Sequence, residues 1–286
     1  MEQLFKDSDG KIYGAENIYQ SLKRVGADDC ETLFIHSDVM FGTPVEGFSK
    51  KQYLSILYEV IQDLGVRNIV VPTFTYSFCN CEIYDVVRSK TLMGAFNEYV
   101  RGIPNRYRTM DPLLSLSVPD RLKNFFEQYN GQHSLGEKSG LDAIHHMDGV
   151  KFLFLGADMA SCFTYIHYVE KKLDVPYRFD MKFQGMVIDE NGIVSEREQY
   201  IHTQCYGIKL PKRYEYFEDE LVEQKIIKKE RIGDKYILCI NETDAYTQIE
   251  NKIYHDITYF LEKPFTKEDL IHRYTYDLSN GKITHC

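Results

Sequence analysis

The chain has 286 residues, 43% of them apolar and 27% charged, with a net charge of −9 at pH 7. The apolar share supports a sizeable core and excludes wholesale disorder, while the acidic balance excludes a general nucleic-acid binder, which needs a basic face. Seven cysteines without a CxxC spacing point to reduced thiols rather than a disulfide frame. The start "MEQLFKDSDGK" carries no apolar signal core, and no run approaches membrane-spanning length. A cytoplasmic protein without membrane insertion is expected. The 22 Tyr and 17 Phe, with no Trp, suit pocket walls and half-buried surfaces as well as core.

Taken in order, "ENIYQSLKRVG" places Ile18, Leu22 and Val25 on one helical face and stops at Gly26. "ETLFIHSD" is a short apolar run that breaks into His36, Ser37 and Asp38. "SKKQYLSILYEVIQDLG" follows as a helix, with Ser49 and Gln52 spaced as a capping box and Gly65 as the stop. "NIVVPTFTYSF" is a second buried strand, ending in Thr73 and Thr75. "LLSLSV" and "VKFLFLG" are further strand candidates, with "PDRLKNFFEQYNG" as a helix after the first. This alternation predicts an α/β fold, with helices on both faces of a mostly parallel sheet.

From about residue 179 the texture changes. "MKFQGMVIDENGIVSEREQYIHTQC" reads as a hairpin turning at 190–192, "KIIKKERI" and "KYILCI" as strands, and "TDAYTQIENKIYHDITYFLE" as a long helix. One domain over 1–286 is expected, with a core at about 14–178 and a β-rich elaboration at about 179–286.

In an open parallel sheet, ligands bind beyond the carboxyl ends of the strands. Three strand endings gather polar groups there: "HSD" at 36–38, "PTFT" at 72–75 and "GADMASCFTYIH" at 156–167. Any one of them is explained by helix capping; three together favour a pocket. His167 is the natural general base near neutral pH, and Glu170, three residues on, shares its helical face. "GQHSLGEKSG" spaces Gly131 and Gly136 like a phosphate loop, but Glu137 intervenes before Lys138 and Ser139 and would repel phosphate. Amides near Ser139, ahead of a short helix, keep a weaker claim on an anion. "GEKSG" is not a nucleophile elbow. His145–His146 and His133 lack zinc spacing, so no metal is expected, and Cys79 and Cys81 sit too close together for a zinc knuckle.

The order of "LFIHSDVMFG", "VVPTFTYSF", "SKTLMGAFNEYVR", "RTMDPLLSLSV", "SLGEKSGLDAI" and "FLFLGADMASCFTYIHYVEKKLDVPYR" resembles the aminoglycoside 3-N-acetyltransferase (antibiotic N-acetyltransferase) family. The resemblance spans about residues 31–178. It implies a three-layer α/β/α sandwich that moves an acyl group from an acyl-CoA co-substrate to a primary amine. The T-x-x-H-x-x-E motif falls on Thr164, His167 and Glu170, which makes His167 the base and Glu170 its partner. His36, Ser37, Asp38, Thr73, Thr75, Ser115 and Ser139 become candidate contacts for the acyl-CoA. Thr164, Tyr177 and Asp111 become candidate substrate contacts. An oxyanion donor is required, and either the "HSD" or the "PTFT" turn can supply it.

One departure from the family pattern is informative. Where the antibiotic-modifying members read His-Pro, this chain has Asp111-Pro112, and it looks more like the relatives that acylate nucleotide-linked amino sugars for surface polysaccharide. A 3-amino-3,6-dideoxyhexose is the expected acceptor. Asp111 either holds the substrate ammonium or shapes an Asp-Pro turn. Acetylation of aminoglycosides and a non-catalytic CoA-binding protein are the alternatives, and a homodimer is left open.

Overall fold

Side chains alternate across a strand, and this sorts the molecule into two cores. In the strand Thr32–Ser37, Leu33 and Ile35 enter one core while Phe34 enters the other. The computed structural model describes residues 3–211, 214–271, 273–277 and 282–285. Its first half comprises β1 (Gln3–Lys6), β2 (Ile12–Gly14), α1 (Ala15–Arg24), β3 (Thr32–Ser37), β4 (Thr43–Pro44), α2 (Lys50–Gln62), β5 (Asn68–Pro72), β6 (Tyr84–Asp85), α3 (Gly94–Arg101), β7 (Arg106–Arg108) and β8 (Leu116–Pro119). The short helices α4 (Lys123–Phe126) and α5 (Gly140–His145) follow. After them come β9 (Val150–Leu155), α6 (Met159–Cys162), α7 (Tyr165–Lys172), β10 (Arg178–Ile188), β11 (Val194–Gln204) and α8 (Glu215–Glu223). The last elements are β12 (Lys228–Ile232), β13 (Lys235–Asn241), α9 (Glu242–His255), β14 (Tyr274–Asp277) and β15 (Lys282–His285).

The main sheet has the order β12-β13-β9-β3-β5-β8-β7. Its centre, β9-β3-β5, is parallel. Antiparallel strands complete both edges, β8 and β7 on one side and β13 and β12 on the other. The expected sandwich is therefore present, with parallel pairing at its centre. Leu33, Ile35, Val71, Leu153 and Leu155 pack beneath α1, α2 and α3. Phe34, Val70, Phe152 and Phe154 pack on the other face against α5, α7 and α9. Helix α2 starts as its sequence predicts: Gln52 N–H donates to Ser49 Oγ at 3.3 Å and Ser49 N–H returns to Gln52 Oε1 at 2.9 Å.

The C-terminal part enters the core as well as covering it. Strand β13 pairs with β9 from Leu155 to Lys151, and α9 buries Ala245, Ile249 and Ile253. The hairpin predicted to turn at 190–192 joins β10 to β11 along eleven residues each. The helix expected over "PDRLKNFFEQYNG" is a 3₁₀ turn at Asp120–Leu122 followed by the single turn of α4. Only Phe126 of α4 is buried, too little apolar face to sustain a longer helix. Among the described residues, no helix is long and apolar enough to cross a membrane.

The ends of β3 and β9 lie side by side, Ser37 opposite Leu155, and Asp38 N–H donates to Leu155 O at 3.0 Å. Gly156 leaves β9 at φ +72°, and a Cβ built there would sit 2.2 Å from Asp38 O. Both the backbone conformation and the space demand glycine. Gly156→Ala is expected to lower the unfolding free energy by more than about 1 kcal/mol, measured by urea denaturation; a neutral effect would show that this rim is pliable.

Candidate active site

Helix α7 begins at the rim that β9 and Gly156 set. Its register buries Tyr165, Ile166, Tyr168, Val169 and Glu170, leaving the His167 side chain 26% exposed. Three residues apart on a helix means one face, and His167 Nδ1 stands 2.6 Å from Glu170 Oε2. The Glu170 side chain has no exposure, and a carboxylate cannot stay charged there without partners. It has three. Besides His167, the Tyr177 hydroxyl donates to Oε1 at 2.9 Å, and Arg178 Nε lies 2.7 Å from Oε2. The Arg178 contact is an attraction of charges, since its Nε–H does not point along it. Arg178 Nη2 also comes within 2.8 Å of His167 Nδ1.

These contacts set the protonation states. Burial alone would raise the Glu170 carboxyl, but Arg178, His167 and Tyr177 outweigh it and bring the group down to about 2. Burial and the Arg178 charge lower His167 below the ordinary histidine value, against the pull of Glu170. His167 Nδ1 faces both the Glu170 carboxylate, which can only accept, and Arg178 Nη2, which can only donate; the tautomer that satisfies Glu170 carries its proton on Nδ1. The Nε2 lone pair is then free to accept a proton.

The rim residues divide sharply. Ser37 and Asp38 line a cleft of about 580 Å³ together with Val39, Met40, Phe48, Ser49, Lys50, Tyr53 and the start of α3 at Gly94 and Ala95. Ser37 Oγ donates to Asn97 Oδ1 at 2.8 Å and Asp38 pairs with Lys235 at 2.9 Å. His36 instead turns into the core, stacked on Phe154 at 5.1 Å, and burial takes it down to about 3. Thr73 and Ser115 have no exposure; each hydroxyl donates to the other residue's carbonyl, at 3.0 and 2.7 Å. Thr75 donates to Pro112 O at 2.8 Å. Ser139 caps α5 by accepting from Asp142 N–H at 3.1 Å, and Lys138 N–H, one of the amides near Ser139, donates to Asp142 Oδ2 at 2.8 Å.

Thr164, one turn before His167, is half-buried, and its side chain makes no capping bond. Tyr177, expected to touch substrate, is fully buried and holds Glu170 instead. Asp111 Oδ1 accepts from Leu113 N–H, Leu114 N–H and Ser134 Oγ at 2.8 to 2.9 Å. One oxygen thus does the turn-shaping work that Asp-Pro allows.

The sequence profile described as aminoglycoside 3-N-acetyltransferase matches residues 34–253. The chain belongs to the aminoglycoside 3-N-acetyltransferase family. It is an acyl-CoA-dependent N-acetyltransferase by that membership. Solved structures agree in fold. Apo aminoglycoside acetyltransferase AAC(3)-IVa is 17% identical with a TM-score of 0.68, covering 92% of this chain and 94% of its own. YokD from Bacillus subtilis is 19% identical with a TM-score of 0.67, over 90% and 96%. AAC-IIIb, solved with CoASH, is 15% identical with a TM-score of 0.68, over 89% and 99%. No curated protein sequence matches the chain.

In this acetyltransferase the residue that sequence reasoning passed over is Arg178. It closes the stretch "DVPYR", eleven residues beyond His167, where no helical or strand period links the two. The same is true of the group behind it. Arg178 Nη1 donates to His202 O at 3.1 Å, while Asp180 takes His202 Nδ1 at 2.8 Å, His133 Nε2 at 3.0 Å and Lys171 at 2.6 Å. His133, Asp180 and His202 are close enough to hold a cation, but His133 Nδ1 accepts from Leu135 N–H at 3.0 Å. The proton of the neutral ring therefore sits on Nε2, which has no lone pair for a metal.

The Glu170 carboxyl is held well below its ordinary 4.5, so its stabilising contribution is complete above that value and is lost as pH falls through about 2. Glu170→Gln is expected to unfold about 3 kcal/mol more easily at pH 7. The deficit should shrink as the pH drops below 4.5, measured by urea unfolding from pH 7 to 3. A deficit that does not change with pH would contradict an ionised Glu170.

Proposed function

We propose that this chain transfers an acyl group from acyl-CoA to the primary amine of an amino sugar, with His167 as general base. The acceptor we favour is a nucleotide-linked 3-amino-3,6-dideoxyhexose for surface polysaccharide. The observation that carries the chemistry is a neutral, solvent-reachable imidazole backed by a buried carboxylate. The amine nitrogen attacks the thioester carbon, and its proton passes to His167 Nε2 as the carbon–sulfur bond breaks. No serine or cysteine nucleophile is needed, which favours direct transfer in a ternary complex.

The cleft beside Ser37 and Asp38 suits the acyl-CoA. Its lining is largely apolar, as an acyl or pantetheine arm requires, and Lys50 with the starts of α2 and α3 offers positive potential to phosphate. The hydroxyls of Ser37, Thr73 and Thr75 already donate within the protein. The main-chain N–H groups of Asp38, Thr73 and Thr75 are engaged as well, so the developing oxyanion needs a donor other than these groups. Thr164 is the substrate contact nearest the base in sequence, and Asp111 Oδ2, which takes no hydrogen bond among the described residues, remains for the ammonium. Acetylation of an aminoglycoside is the second reading, supported by the family match and by a net charge of −9 that suits a polycation.

Thiol release from acetyl-CoA and from longer or 3-hydroxylated acyl-CoAs, with nucleotide-linked amino sugars or aminoglycosides as acceptors, decides between the two. Turnover with the nucleotide-linked sugars and not with the aminoglycosides is expected; the reverse would establish the second reading. His167→Ala should lose at least about 100-fold in turnover while still binding acyl-CoA by calorimetry. Near-normal turnover in that variant would remove His167 from the mechanism.

A further inference from the structure

We infer that Arg178 is a positioning residue of the acyl transfer: its charge keeps the His167 ring neutral at rest and drives the captured amine proton on to the departing sulfur. The inference rests on the N-acyl transfer proposed above, with His167 as base.

A histidine 2.6 Å from a buried carboxylate has, on its own, a reason to be protonated, because the ion pair is better than a lone buried anion. Such a ring would arrive at the reaction already holding a proton and could not accept another. Arg178 removes that bias. Its side chain is only 3% exposed, so water screens its charge little. Its Nη2 stands 2.8 Å from Nδ1 and its Nε 2.7 Å from Glu170 Oε2. With a neutral ring, Glu170 and Arg178 balance. With a protonated ring, the buried group carries one net positive charge.

The other charged and titratable groups around Arg178 are already engaged. On α7, Lys171 pairs with Asp180 of β10, which also takes His133 and, from β11, His202. Burial lowers His133 and His202, so both rings stay neutral at pH 7. Tyr177 donates to Glu170, and burial raises Tyr177, Tyr214 and Tyr216, which keeps all three neutral. Of the neighbouring charges, Arg178 and Glu170 are the two that act on His167.

The proton balance then closes without a further acid. An ammonium bound at Asp111 first releases one proton to water; the neutral amine nitrogen then bonds to the acyl carbon, the carbon–sulfur bond breaks with its electron pair on sulfur, and one remaining amine proton moves to Nε2. The resulting imidazolium, opposed by Arg178, gives that proton to the thiolate. The products are the amide, free CoA thiol, a neutral ring and the proton given to water.

The test needs no substrate for its first arm. NMR titration of the His167 ring in the unliganded protein should give a midpoint below the ordinary 6.5. Arg178→Gln should raise that midpoint by about one pH unit or more, and Arg178→Lys should leave it near the wild-type value. A wild-type midpoint at or above 6.5 overturns the inference even if the Gln variant fails to fold, as does an unmoved midpoint in a folded Gln variant. In the second arm, the acid limb of kcat/KM for thiol release should move to higher pH in Arg178→Gln by the same amount. A uniform loss of rate with no shift of the limb would reduce Arg178 to a structural role. If no acceptor is turned over, the titration still decides the charge relation, and it is the acyl-transfer reading that fails.

Discussion

The site depends on keeping one carboxylate ionised where water does not reach. Glu170 has no exposure, and desolvating a carboxylate costs several kcal/mol unless charge and hydrogen bonds replace the lost water. Arg178, Tyr177 and His167 supply both. The consequence is directional. A carboxylate that stays charged can hold a proton on His167 Nδ1, and in that tautomer the Nε2 lone pair is free.

That arrangement draws on both halves of the chain. His167 and Glu170 come from α7, at the rim where β9 ends. Arg178, Asp180 and His202 come from the hairpin of β10 and β11, the first part of what reads as a C-terminal elaboration. The elaboration does more than cover an edge: β13 continues the main sheet beyond β9, and the β10–β11 hairpin carries Arg178, the counter-charge of Glu170. Across the rim, the cleft at Ser37 and Asp38 opens on the α2–α3 side, whose core is separate from the one beneath α7. The cleft and His167 thus lie toward opposite faces of one sheet.

Much of this was legible residue by residue. The T-x-x-H-x-x-E spacing is one helical turn, so once α7 was recognised the His167–Glu170 contact followed from geometry. Ser49 and Gln52 announced a capping box in the same way. Strand endings were legible as places and less so as roles. Asp38 and Ser37 line the cleft, whereas His36, one residue earlier, alternates into the core. Thr73, Thr75 and Ser115 have the hydroxyls a ligand would want, but the segment leading into β8 runs beside the end of β5: its Ser115 and Pro112 carbonyls take the Thr73 and Thr75 hydroxyls, and the Ser115 hydroxyl donates to Thr73 O.

The sequence by itself determined the elements, their alternation and the His167–Glu170 pair, whose members lie within a turn of each other, because those properties depend on neighbours a few residues away. The tertiary structure alone decided the charge state of that pair. It did so by folding Arg178 back across α7 and by removing Glu170 from water, and burial and through-space charge have no period that a sequence can display. It also decided which polar residues line the cleft and which brace the sheet, since that depends on which strand lies alongside.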